Sequence, residues 1–278
     1  MRPLTAFALA ALISVPSVHA GETPWQEVAP GVSVRLISTG KAPEAGKVLM
    51  GLEFDMPPNT KTYWRVPGQT GLATQLDLSA SRGVGGHAVH WPHPRREERG
   101  GYLDHVYYGH VLLPVELAAE DGTGMVDMRA TMGICSEICI PAQARFVLPL
   151  RDAEPDRPNE LRIRQALAEV PVPWESGPVP VGAVSAREDG KAIAVEVTGS
   201  DLDVETLIVA TGDGRPLFGA PQKSPQGALV VLPILGKTDN SDLNGMSVEL
   251  TFMTQMGAYS VNRTIGAGAG EYAAAQGR

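Results

Sequence analysis

The chain has 278 residues and a formal net charge of −8, an acidity that excludes nucleic acid as a partner, because binding it needs a basic footprint. Its 31 glycines and 23 prolines, with few long helical patterns, point to an all-β protein rather than an α/β one, with length enough for two domain-sized cores. Only two cysteines are present, Cys135 and Cys139.

Residues 1–20 read as an export signal: Arg2 supplies the positive start, residues 4–15 the apolar stretch, and Val18-His19-Ala20 a small-residue cleavage site. The apolar run is shorter than the roughly 20 residues of a spanning helix, so cleavage near Ala20 is expected rather than anchoring. No cysteine follows the site to take a lipid. No later apolar run reaches spanning length, so no direct membrane span is expected in the mature chain.

Short apolar, β-branched runs then recur at 32–38, 47–54, 87–91, 106–117, 125–134 and 145–150, punctuated by Pro57-Pro58-Asn59, Pro67-Gly68 and Asp121-Gly122. Their spacing predicts an antiparallel sandwich of immunoglobulin type. A helix is predicted over 159–168, opened by Pro158-Asn159-Glu160 and striped by Leu161, Ile163 and Leu167. It closes a first domain over 21–170. The proline-rich stretch 171–180 reads as an extended linker with few contacts, since each proline fixes its own φ. Runs at 192–198, 206–210, 228–232, 247–252 and 258–263 predict a second, smaller β domain over 181–265, and the Gly-Ala-rich residues 266–278 a disordered tail.

The two cysteines are the informative chemistry. In an oxidising compartment, thiols this close are a redox or metal device before they are a staple. Closing a loop of about five residues constrains the unfolded chain by only about 2 kcal/mol, against nearly 5 for about 100 residues. The segment from Cys135 to Cys139 begins the connection between two strands, where a tight bend can bring the sulfurs together. Nothing inside it activates a thiolate: Glu137 is acidic, and the nearest cation in sequence is Arg145.

Two other readings stand beside redox exchange. One is an adaptor with a structural disulfide. The other is copper handling, because C-x3-C followed by proline is similar to the Sco-type copper chaperones, and Met125, Met128 and Met132 lie just upstream as soft ligands. Core filling is the simpler use for those methionines. His87, His90 and His93 form H-x2-H-x2-H, but residues three apart on a strand face opposite ways, so no metal site is assigned. No Ser-His-Asp set, phosphate loop or carboxylate pair stands out, and no cofactor is called for.

The residues resemble a known family. Thr62-Tyr63-Trp64-Arg65-Val66-Pro67-Gly68 with Gly71, Trp91-Pro92 with Pro94, Tyr108-Gly109-His110-Val111-Leu112-Leu113-Pro114, and above all residues 135–141, make 25–150 similar to the periplasmic N-terminal (alpha) domain of the disulfide reductase DsbD and its relative ScsB. Residues 178–265 are similar to the second β domain of longer ScsB-like members. The resemblance implies an immunoglobulin-like sandwich whose pair, Cys135 and Cys139, relays electrons by thiol-disulfide exchange. It also implies a periplasmic location, a membrane thiol electron carrier as donor and periplasmic thioredoxin-like proteins as acceptors, some serving cytochrome c biogenesis. With neither a membrane segment nor a thioredoxin-like domain of its own, the chain is expected to be one station of that relay. In the family a neighbouring segment caps the cysteines, and 95–103 is the expected cap here.

Overall fold

The computed structural model describes residues 21–119, 123–151, 154–175, 177–187, 189–224, 227–236 and 243–266. The export signal expected over 1–20 lies outside the described residues, as does the tail beyond Gly266.

The first unit contains β1 (Gln26–Ala29), β2 (Val32–Ser38), β3 (Lys47–Asp55), β4 (Lys61–Gly68), β5 (Gln75–Asp77), β6 (Gly86–Val89), β7 (Arg95–Arg99), β8 (Tyr102–Tyr108), β9 (Val111–Ala118), β10 (Met125–Cys135), β11 (Cys139–Pro149) and helix α1 (Arg157–Leu167). Two antiparallel sheets, β1-β2-β3-β9-β6 and β11-β10-β4-β8-β7 with β5 added beside β10, face each other as a sandwich. Side chains alternate across each strand, so one face of β10 sends Val126, Met128, Ala130, Met132 and Ile134 inward. They meet Leu36, Met50, Leu52, Phe54 and Leu113 of the facing sheet around Trp64. Helix α1 lies outside, with Ile163 and Ala166 on Ile37 and Leu112.

Three elements depart from the sequence expectation. The run 106–117 is not one strand but two: Gly109, at φ +68°, turns the chain from β8 in one sheet to β9 in the other. Strand β11 begins at Cys139 rather than at residue 145. Pro141 hides this extension, but β11 is an edge strand, where a missing N–H costs no ladder bond. The helix starts two residues early because Asp156 is its cap, accepting the Asn159 N–H at 2.9 Å, with the proline in the first turn.

The second unit is a single sheet, β15-β19-β20-β13-β14-β18-β16, with β12 beside β20 and β17 beside β18. Its strands are β12 (Val172–Pro173), β13 (Val181–Ala186), β14 (Ala192–Val197), β15 (Asp203–Ala210), β16 (Leu217–Phe218), β17 (Gln222–Lys223), β18 (Leu229–Leu235), β19 (Ser247–Thr254) and β20 (Gly257–Gly266). Its own core gathers Val181, Ile193, Val195, Leu232, Leu250, Phe252 and Ile265. Within the stretch 171–180, residues 172–174 do make contacts. Val172 and Pro173 pair in parallel with Tyr259 and Ser260, and the Trp174 ring sits 4.8 Å from that of Tyr259. Among the described residues no helix is long and apolar enough to cross a membrane.

Candidate functional site

Strands β10 and β11 form a long hairpin, paired in register from Met125–Pro149 to Cys135–Cys139, so the two cysteines are its last facing residues before the turn. They are joined as a disulfide with Cα atoms 4.0 Å apart. The two sulfurs have different surroundings. Cys135 is 6 % exposed, clustered with Tyr63 and Val106, whereas Cys139 and the turn 136–138 are exposed.

Odd-numbered residues of β10 face outward, away from the sandwich core, yet Gly133 and Cys135 are buried there. The cover comes from β4 and the loop that follows it. Lys61 pairs with Cys135 across the sheet, and two residues along, Tyr63 lays its ring on the same outer face. The Tyr63 hydroxyl lies 3.5 Å from Cys139 Sγ, and since a disulfide sulfur carries no proton the phenol is the donor. Burial raises the Tyr63 pKa above its usual 10.0 against the opposing Lys61 charge, so the donor proton is present at neutral pH. Loop 69–74 lies over the ring: a Cβ on Gly71 would collide with it, and one on Gly133 would press both the ring and Leu72.

Lys61, paired with Cys135 across the sheet, carries its ammonium away from β10 toward β8 and β7. Its Nζ is 5.6 Å from the Tyr63 ring centroid, donates to Glu97 Oε2 at 2.9 Å and reaches Asp104 Oδ2 at 3.5 Å. Burial works against its charge, but the Glu97 hydrogen bond and the nearby acidic groups outweigh burial and raise its pKa. Glu97 also accepts from the Tyr108 hydroxyl at 2.6 Å. The expected cap, 95–103, thus forms β7 and its turn and reaches the site through Glu97. The ring that touches Cys139 comes instead from Tyr63.

Tyr63 was part of the sequence motif without a role. Lys61, Glu97, Thr70 and Asp104 carry no motif of their own in the sequence. Each is dozens of residues from the cysteines, and only the strand order β10-β4-β8-β7 brings them near. The signal that could have found them is the alternation along β4, which places residues 61 and 63 on one face.

The soft-ligand set does not assemble. Met128 and Met132 are fully buried on the inward face of β10, opposite to Cys135, and Met125 is ten residues down the strand. The three histidines also diverge. His87 is exposed on β6, His90 faces Glu116 at 3.9 Å, and His93 is turned toward the second unit, where burial lowers its pKa to about 4.

A family model for the N-terminal region of thiol:disulfide interchange protein DsbD matches residues 33–151. Among solved structures, the N-terminal periplasmic domain of ScsB from Proteus mirabilis is 25 % identical, covers 90 % of this chain and 100 % of its own, and superposes with a TM-score of 0.72. A human desmocollin-1 ectodomain, 9 % identical over 80 % of this chain and 44 % of its own, has a TM-score of 0.22 and carries no argument. No curated protein matches the chain. Residues 33–151, an immunoglobulin-like sandwich with its cysteine pair closing the β10–β11 hairpin, thus form a domain that matches the N-terminal domain of the thiol:disulfide interchange protein DsbD, and the chain is similar in fold to the N-terminal periplasmic domain of ScsB.

Proposed function

We propose that Cys135 and Cys139 act as an oxidoreductase pair, relaying electrons in the periplasm between a membrane thiol carrier and thioredoxin-like proteins. The observation that carries this reading is the unequal disulfide: Cys135 is buried in a cluster with Tyr63 and Val106, and Cys139 stands exposed at the tip of the hairpin. An exchange pair needs one reachable sulfur and one protected sulfur that resolves.

In the dithiol form, the Cys139 thiolate attacks one sulfur of the partner's disulfide. A Cys139–partner bond forms as the partner's own bond breaks, and its second sulfur leaves as a thiolate and takes up a proton. Cys135 then gives up its proton and attacks Cys139 Sγ, expelling the partner's first sulfur. The chain ends as the disulfide, the partner as a dithiol, and two electrons have moved. A carrier dithiol runs the same steps in reverse, attacking at Cys139. Tyr63 steadies the charge that appears on Cys139 Sγ, since a hydrogen bond to the charged form favours it.

The test is capture. Cys135→Ser leaves the exposed thiol without its resolving partner and is expected to accumulate a mixed disulfide with a thioredoxin-like protein, whereas Cys139→Ser captures far less. Equal capture by both variants, or by neither, overturns the assignment.

A further inference from the structure

Loop 69–74 is held by one buried carboxylate. Asp104 is 4 % exposed on β8, facing Gly68 at the point where β4 leaves the ladder. Its Oδ1 accepts the Thr70 N–H at 2.9 Å, and its Oδ2 accepts the Thr70 hydroxyl at 2.5 Å and faces Lys61 Nζ at 3.5 Å. Beside it, Gln69 N donates to the Leu103 carbonyl at 2.9 Å, and Leu103 N donates to Gln69 Oε1 at 3.0 Å. Gly68, at φ +99°, has no room for a Cβ against the Leu103 carbonyl, so the loop leaves β4 along a fixed path. At its far side, the Leu72 carbonyl accepts Gly133 N at 3.2 Å. Between these two attachments the Gly71 backbone rests on the Tyr63 ring, which is backed by Gly133 on the other side.

A phenol set 3.5 Å from a sulfur acts on it only while its ring is kept from turning away. We infer that Asp104, through Thr70, is a positioning residue for the exchange: it clasps loop 69–74 over Tyr63 and so holds the phenol against Cys139 Sγ. The carboxylate touches neither sulfur. The Thr70 hydroxyl gives its proton to Asp104 Oδ2, which together with the Thr70 N–H to Oδ1 fastens the residue at two points. The inference rests on Cys139 being the exchanging sulfur with Tyr63 as its donor.

The experiment measures the Cys139 thiol pKa from the pH dependence of its alkylation by iodoacetamide, in Cys135→Ser protein where Cys139 is the sole thiol. Tyr63→Phe is expected to raise that pKa by about one unit, roughly a tenfold loss of thiolate at neutral pH. Thr70→Val, which deletes the hydroxyl, and Asp104→Asn are expected to raise it by at least half as much, and Thr70→Ser to restore the parent value. If Tyr63→Phe raises the pKa while Thr70→Val and Asp104→Asn titrate like the parent, the clasp is overturned and Tyr63 stands. If Tyr63→Phe changes nothing, both fall. Should Asp104→Asn fail to fold by circular dichroism, the Val and Ser variants at Thr70 decide alone. The thiol pKa is read without a partner, so a failure of partner capture counts against the relay and leaves the clasp standing.

Discussion

Ile138 is 75 % exposed, the largest exposure among the described large apolar side chains, and Ile140 is 39 % exposed; the two flank Cys139 at the hairpin tip. Exposed isoleucines beside a reacting sulfur suit a partner that buries them on docking, each contributing roughly 1.5–3 kcal/mol when fully covered. Ile138→Asp is therefore expected to slow exchange with a thioredoxin-like protein by roughly tenfold or more, while reduction by dithiothreitol, which covers no surface, proceeds at the wild-type rate. Stopped-flow comparison of the two reductants checks this; equal slowing with both would mean the turn itself has been disturbed. At this scale the cysteine pair was legible from sequence because both thiols lie in one short segment. Tyr63 and Asp104 were not, because their roles arise from cross-sheet neighbours and a loop path that periodicity does not encode. Arg145 is no activating cation in the folded chain: it is tied to Asp127 at 2.5 Å, and its place in the ladder is six residue pairs from the Cys135–Cys139 pair.

Among the elements, the strands with clean alternation, such as β2, β10 and β19, were visible in sequence. Those that escaped include β7, whose Arg-Arg-Glu-Glu-Arg carries no apolar face, and the first half of β11, hidden behind Pro141. The helix was visible, but its attachment was not. Glu53 of β3 is 1 % exposed, accepts from Arg35 at 2.6 Å and His110 at 2.9 Å, and receives Arg162 of α1 at 3.1 Å. Burial alone would raise its pKa, but the Arg35 and His110 hydrogen bonds, with the charges of Arg35 and Arg162, bring it below the ordinary 4.5. A carboxylate depressed in the folded state contributes stability that is complete above its unfolded pKa and lost as pH falls through the folded value. The contact between α1 and its sheet is thus expected to hold above about pH 4.5 and to weaken below it. Glu53→Gln, which removes the buried charge shared by the half-buried Arg35 and Arg162 and leaves them only Glu22, is expected to cost roughly 2 kcal/mol at pH 7 and to flatten the acid side of the stability curve. Urea unfolding between pH 3 and 7 measures both; an unchanged acid limb in the variant would remove Glu53 as the cause.

Over the whole molecule, β15 is the strand that joins the two units. Alternation sends Leu207 and Val209 into the core of the second unit, while Ile208 and Ala210 are buried in the core of the first. Arg96 of β7 donates to the Glu205 carbonyl at 2.8 Å and also to that of Leu207, Arg65 meets Glu249 at 3.3 Å, and the segment 172–174 is fastened to β20. A proline-rich linker between free domains was the sequence expectation for 171–180. We propose instead that the units, with boundaries near 170 and 181, move as one body, so the hairpin tip is presented to partners at a fixed angle to the second unit. His93 belongs to this joint: burial first, and the Arg96 charge in addition, lower its pKa to about 4 from 6.5, against the hydrogen bond that the imidazole donates to the Thr206 backbone. The folded, docked form therefore releases a proton that the opened form holds between pH 6.5 and 4, and docking weakens as pH falls through that window. Arg96→Ala at pH 7 removes two carbonyl partners and is expected to cost about 2 kcal/mol of docking, roughly thirtyfold in the opening equilibrium. Hydrogen–deuterium exchange, corrected for the intrinsic effect of pH, reads the outcome at the amides of 205–210 and 172–174. Protection there is expected to fall in Arg96→Ala at pH 7 and in the wild type at pH 4.5, while the amides of β10 in the first core stay protected. If all three regions lose protection together, the joint is not a separate unit of stability; if none does, neither Arg96 nor His93 governs it.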